Sequence, residues 1–189
     1  MIKKVILSLA VCFSLALFQN STFAQEVKDQ ETLLAELDSE EAEERQAEIE
    51  GLERPKDCGV SSIDNLTEKT TALVLSTQEI KVRIPEIVAN MTSEVADSLD
   101  NAKLQKPSND ELVELSEEIT SKLEEVTEAT AEIAEATDEL QKISPLKAAK
   151  ALKSLNYSKK AIALVAPELK MNLEVVNGLI ESSKATVGL

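Results

Sequence analysis

The chain has no histidine and no tryptophan, and its three phenylalanines, Phe13, Phe18 and Phe23, all fall within the first 24 positions. Tyr157 is the only aromatic residue after them. Each absence removes a class of chemistry. Without histidine there is no ordinary general base and no partner to activate a nucleophilic thiol. The usual zinc and copper ligand sets are missing too. One tyrosine is too little to build the aromatic platform on which sugars stack, so glycosidase chemistry by the many carboxylates is disfavoured. Only four glycines occur, and few glycines with few aromatics argue against sheets and for long helices. Cysteine is nearly absent: Cys12 and Cys58 are the two in the chain. No cofactor is implied by any motif.

Positive charge is also in short supply. The formal net charge is −15. Such a polyanion is repelled by phosphate backbones, which excludes nucleic acid as a partner. Calcium is the remaining cation to consider, because Asp38 to Glu44 is rich in carboxylates. No Asp-x-Asp-x-Asp-Gly loop gathers them, so a high-affinity site is not expected.

What is present begins with an address. Lys3 and Lys4 precede a nearly unbroken apolar run from Val5 to Phe18, and small residues follow at Thr22 and Ala24. This pattern predicts a secretory signal peptide over 1–24, cleaved before Gln25. Loss of Lys3 and Lys4 with it takes the net charge from −15 to −17. No other run reaches the ~18 apolar residues of a membrane span, so none is expected after cleavage. A lipid anchor at Cys12 is disfavoured by the bulky Val11 and by the apolar residues that continue past it.

Residues 25–60 read as an acidic arm and linker. Leu33, Leu34, Leu37, Ile49 and Leu52 are its main apolar residues. Glu, Ala and Leu favour helix, yet so little can be buried that a loosely attached or disordered segment is expected. Cys58 lies in this linker beside Lys56 and Asp57, where accessibility is expected. An unpaired cysteine in an exported chain makes it the candidate for an intermolecular disulfide.

Residues 61–189 read as a helical bundle. Ser61 or Ser62 is placed to cap the first helix, about 61–105. Its stripe runs Ile63, Leu66, Thr70, Leu73, Thr77, Ile80, Ile84, Ile87 and Met91, in steps of three and four. The stripe keeps step across Pro85, so a kinked helix is expected and not a turn. A second helix opens with the capping box Ser108 and Glu111. Five heptads follow, with Leu112, Ile119, Val126, Ile133 and Leu140 at a and Leu115, Lys122, Ala129, Ala136 and Ile143 at d. A glutamate precedes every a residue. Ser144-Pro145 starts the third helix, about 146–184, again with a proline, Pro167, that does not break the stripe. Here the charge reverses: 146–189 carries +4 while 25–143 carries −21.

Short links make neighbouring helices antiparallel. The sequence therefore predicts an all-α, elongated, antiparallel, coiled-coil-like three-helix bundle behind an acidic helical or disordered arm. In that arrangement Glu139 approaches Lys150, Glu128 approaches Lys160 and Glu118 approaches Lys170. The sequons at Asn65, Asn90 and Asn156 are expected to stay unmodified. The function expected is that of an exported, periplasmic or secreted protein that is not an enzyme. It would act through protein–protein contact, self-association or a structural role in the bacterial envelope. The alternative is a module binding a lipid or other hydrophobic ligand, with Ala161 to Ile180 as its lining.

Overall fold

A computed structural model describes residues 28–93 and 109–187 of the chain, with side chains over 28–90 and 110–184. The signal peptide expected over 1–24, the end of the first helix expected near 105 and the cap expected at Ser108 fall outside the described residues. Among the described residues the fold is all-α, with five helices and no strand: α1 (Gln30–Leu37), α2 (Glu40–Glu50), α3 (Ser61–Ser93), α4 (Asn109–Glu139) and α5 (Pro145–Val187). A single 3-10 turn, Leu140–Lys142, joins α4 to α5.

Both long helices that contain a proline are continuous across it. α3 runs through Pro85 and α5 through Pro167. Each proline forfeits one backbone hydrogen bond and the flanking packing outweighs it: Ile84 and Ile87 are buried around Pro85, Val165 and Leu169 around Pro167. The stripe read from the sequence is the buried face of α3, from Ile63 to Ile87. Thr67, Thr70 and Thr77 sit within it, and their hydroxyls donate to the carbonyls four residues back at 2.7–2.9 Å. Those bonds satisfy the hydroxyls inside the helix, so the threonines are core residues and not the lining of a polar groove.

Contacts between side chains fix the directions of the helices. Ser62 donates to Glu139, Lys69 pairs with Glu128 and Glu132, and Arg83 pairs with Glu118, so α3 and α4 run antiparallel. Thr70 meets Ser158 and Lys81 meets Glu168, so α3 and α5 run parallel. Ser116 donates to Asn177, and α4 and α5 run antiparallel. The heptad seam of α4 is buried at Leu112, Leu115, Ile119, Val126, Ala129 and Ala136. Lys122, the polar d residue, bonds to Glu125 one turn on.

The start of α3 differs from the expected serine cap. Ser61 is already helical, and Asp64 N–H donates to the Val60 carbonyl at 2.9 Å. The Asp64 carboxylate instead reaches back to accept from the N–H groups of Cys58 and Gly59 at 2.8 and 3.0 Å. Gly59 takes φ +77°, a left-handed conformation that folds the linker onto the helix start. Burial pushes the Asp64 carboxyl up, but the hydrogen bonds from Cys58, Gly59 and Val60 outweigh it and hold the group below its usual value. A carboxyl lowered in the folded state contributes stability above its unfolded pKa of about 3.9, and that stability is lost as pH falls through the lower folded value. The stability gap between the wild type and Asp64→Asn is therefore expected to be open at pH 7 and to close below about pH 4. Urea denaturation at both pH values measures it, and a gap independent of pH would contradict this account.

The acidic arm is the main departure from the sequence reading. It is neither loose nor disordered at 30–50: α1 and α2 lie on α5, with Leu33, Leu37, Ala42 and Ile49 buried. Asp29 caps α1 by accepting from Thr32 N–H at 2.7 Å. Four apolar residues suffice because α5 offers a close seat. At Gly178 an added Cβ would stand 2.7 Å from Leu33 Cδ2. Gly178→Val should therefore push α1 off its seat. Limited proteolysis is expected to cut the arm earlier in this variant while α3 to α5 stay protected; equal protection of the arm would contradict the seat.

Candidate functional site: an apolar groove above a buried ion pair

The docked arm creates the most distinctive polar structure in the protein. Arg45, one of only two cations among residues 26–53, points from α2 toward α5. Its Nε donates to Glu168 Oε2 at 3.0 Å and its Nη2 to Met171 Sδ at 3.2 Å. Lys81 of α3 approaches the other oxygen, with Nζ 3.6 Å from Glu168 Oε1. Glu168 is 0% exposed. One carboxylate thus ties three helices together, screened from water on every side. A turn further along α5, Asn172 is equally buried, and neither polar atom of its amide has a hydrogen-bond partner among the described residues.

Outside this pair an open groove of about 530 Å³ lies between Gln46 of α2 and the face of α3. Gln46 forms one wall. The other is α3 from Gln78 to Ala89, with Val82 and Pro85 on its floor. Val82 is 59% exposed, and Leu75, one heptad before it, is 55% exposed. Lys81 and Glu86 are the charged residues of its lining, and further exposed carboxylates stand nearby in sequence on both helices. Glu79 and Glu86 stand three before and four after Val82, and Glu43 and Glu50 stand in the same relation to Gln46. All four are exposed. The result is a short, largely apolar trough with one cation and one carboxylate in its lining.

The residues singled out from the sequence are distributed differently from the expected pairs. Glu118, Glu128 and Glu139 face α3: their partners are Arg83, Lys69 and Ser62. Lys160 pairs with Glu48 of α2 at 3.0 Å, and Lys150 is exposed. Lys170 is exposed as well. Within the glutamate ladder of α4, Glu118 and Glu132 thus meet the cations Arg83 and Lys69 of α3, and Glu139 meets Ser62. Hydrogen bonds to Glu132 and Glu128 raise the Lys69 pKa above its ordinary value. Glu128 and Glu132 converge on that ammonium and clamp it between them.

Cys58 is also placed otherwise than expected. It is 5% exposed and packs in the core, with Sγ 3.9 Å from the Val60 carbonyl. Burial pushes its thiol pKa up, and Asp64 adds to the rise. A buried thiol held protonated cannot reach a second chain without opening the linker. Apolar residues on the inward faces of Ala161 to Ile180, among them Val165, Leu169 and Val176, are members of the packed core together with Leu33 and Leu37. No group of three or more acidic, histidine or cysteine side chains is placed to hold a metal ion among the described residues. No helix among them is long and apolar enough to cross a membrane.

Sequence reasoning missed Arg45, Lys81, Glu168 and the groove. A signal existed for Glu168, a charge at a core position of an otherwise apolar stripe. Nothing local marks Arg45 or Lys81 as its partners. The fold places the chain among all-α helical proteins, and comparison with protein-family models, curated proteins and solved structures finds no match for it.

Proposed function

We propose that this is an exported, non-enzymatic helical protein of the bacterial envelope that acts through protein–protein contact. In this reading α3, α4 and α5 form an elongated bundle, the arm is its fourth layer, and the mature chain begins at Gln25. One observation carries it. The trough over Val82 is largely apolar and open to solvent. Exposed apolar residues gathered in one trough with polar walls are the mark of a contact surface. A groove between two helices is the shape that accepts an amphipathic helix.

A photo-crosslinking residue at position 82, in cells producing the full chain, tests the reading. Adducts of defined mass are expected from position 82 and not from the exposed position 124 on α4. No adduct at 82 would overturn it.

A further inference from the structure

We propose that the first turns of α5 are a membrane-contact surface that lies against anionic lipid headgroups. This inference goes beyond the protein–protein reading above and does not depend on it. It starts from the pairing of cations. The chain has 35 acidic residues against 20 basic ones, so most cations have a carboxylate close at hand. Lys69, Lys81, Arg83 and Lys122, on α3 and α4, each lie within 3.6 Å of one. The start of α5 is different. Leu140 to Pro167 holds six lysines and no acidic residue. Lys160 reaches Glu48 of the arm. Lys142, Lys147, Lys150, Lys153 and Lys159 are exposed, and none of these five has an ion pair among the described residues.

The same turns expose apolar surface. Leu146 is 78% exposed and Leu152 48%. On a helix they stand about 120° apart, and Ala149, also exposed, lies midway between them. Lys150 falls just outside Leu146, Lys159 just outside Leu152, and Lys153 within the band. An apolar band edged by lysines is the pattern of a helix lying on a bilayer. Its leucines enter the headgroup boundary, and the lysine stems follow while their ammonium groups stay with the phosphates. These lysines are spread around half of the helix. A fluid plane of headgroups satisfies ammonium groups spread in this way, whereas a protein groove would ask for them along one line. The acids that precede the stretch are Asp138 and Glu139, and Glu139 is engaged by Ser62. Charges beyond ~8 Å are screened at physiological salt, so the net charge of −15 does not cancel the local attraction of five lysines.

Co-sedimentation with lipid vesicles tests this, using protein purified from the exported fraction of producing cells so that any segment removed on export is absent. Binding is expected to vesicles of phosphatidylglycerol mixed with phosphatidylcholine and not to phosphatidylcholine alone, and raised salt should weaken it. Lys150→Glu/Lys153→Glu is expected to lower the affinity at least about tenfold, because each lysine beside an anionic surface contributes roughly fivefold. Leu146→Ser/Leu152→Ser is expected to lower it as well, while Lys184→Glu, near the other end of α5, leaves it unchanged. All these positions are exposed, and unchanged helical circular dichroism shows that each variant is folded. Absence of binding to the anionic vesicles, equal binding to neutral ones, or a lysine variant that binds like the wild type overturns the proposal. So does a leucine variant with full affinity, since any acidic polymer would then serve as well. Equal loss in Lys184→Glu overturns it too, because net charge and not this surface would then govern binding. Adducts at position 82 bear on the contact reading alone.

Discussion

Arg45→Met/Lys81→Met is expected to lower the stability of the protein by about 3–5 kcal/mol, the usual cost of stripping a buried charge of its partners. Glu168 is completely buried, and Arg45 and Lys81 are the cations against it. Once they are gone the carboxylate has neither water nor counter-charge. It must be carried at full desolvation cost, or α2 must lift away to wet it. The reverse experiment should behave very differently. Glu168→Leu replaces the carboxylate with an apolar side chain of similar volume. Arg45 and Lys81 keep 22% and 15% of their side-chain surface exposed and can turn toward solvent. This variant is expected to be near neutral. Thermal melting by circular dichroism separates the two. For a chain of this size 1 kcal/mol moves Tm by about 2–4 °C, so the double variant should melt on the order of 10 °C lower. Equal effects from both variants would mean that the pair is wet and that the arm sits more loosely than described.

Ile80→Ala is expected to cost about 2–5 kcal/mol, while Val82→Ala should change stability by less than about 0.5 kcal/mol. Two residues apart on α3, they point to opposite sides of the helix. Ile80 is 0% exposed among core side chains, and truncating it leaves a cavity that its neighbours fill only in part. Val82 is on the trough floor, open to solvent, and its loss should be felt in association and not in folding. Urea denaturation of the two variants at a concentration where the chain is monomeric measures the contrast. A reversed order would require α3 to be rotated about its own axis by roughly half a turn, which the buried Ile84 and Ile87 forbid.

Much of the helical frame was legible in the residues alone. The stripe from Ile63 to Ile87 and the heptads from Leu112 to Ala136 repeat at the helical period, and burial follows them. Pro85 and Pro167 were read as interior prolines because the stripe kept step across them. The errors came from partners distant along the chain. The sequence pairs Glu118, Glu128 and Glu139 with α5 because α5 holds most of the lysines, yet Arg83, Lys69 and Ser62 of α3 stand against them. Total charge counts every lysine equally; a salt bridge counts only those within a few ångströms. The arm was judged unable to dock because its apolar residues are few. Leu33 and Leu37 dock anyway, because Gly178 and its neighbours on α5 leave a recess of the right depth.

The order of residues by itself determined that this chain is helical, where each long helix has its inward face, and that negative charge prevails up to the start of α5. These depend on contacts three or four residues apart, which the chain makes with itself whatever surrounds it. Only the tertiary structure decided which helix lies beside the α4 glutamates, that the arm is held, that Cys58 is enclosed, and that Arg45, Lys81 and Glu168 converge beneath a trough. Those outcomes set residues 123 and 126 positions apart against one another. No local pattern encodes such a distance; it emerges when apolar faces choose the packing that hides the most surface.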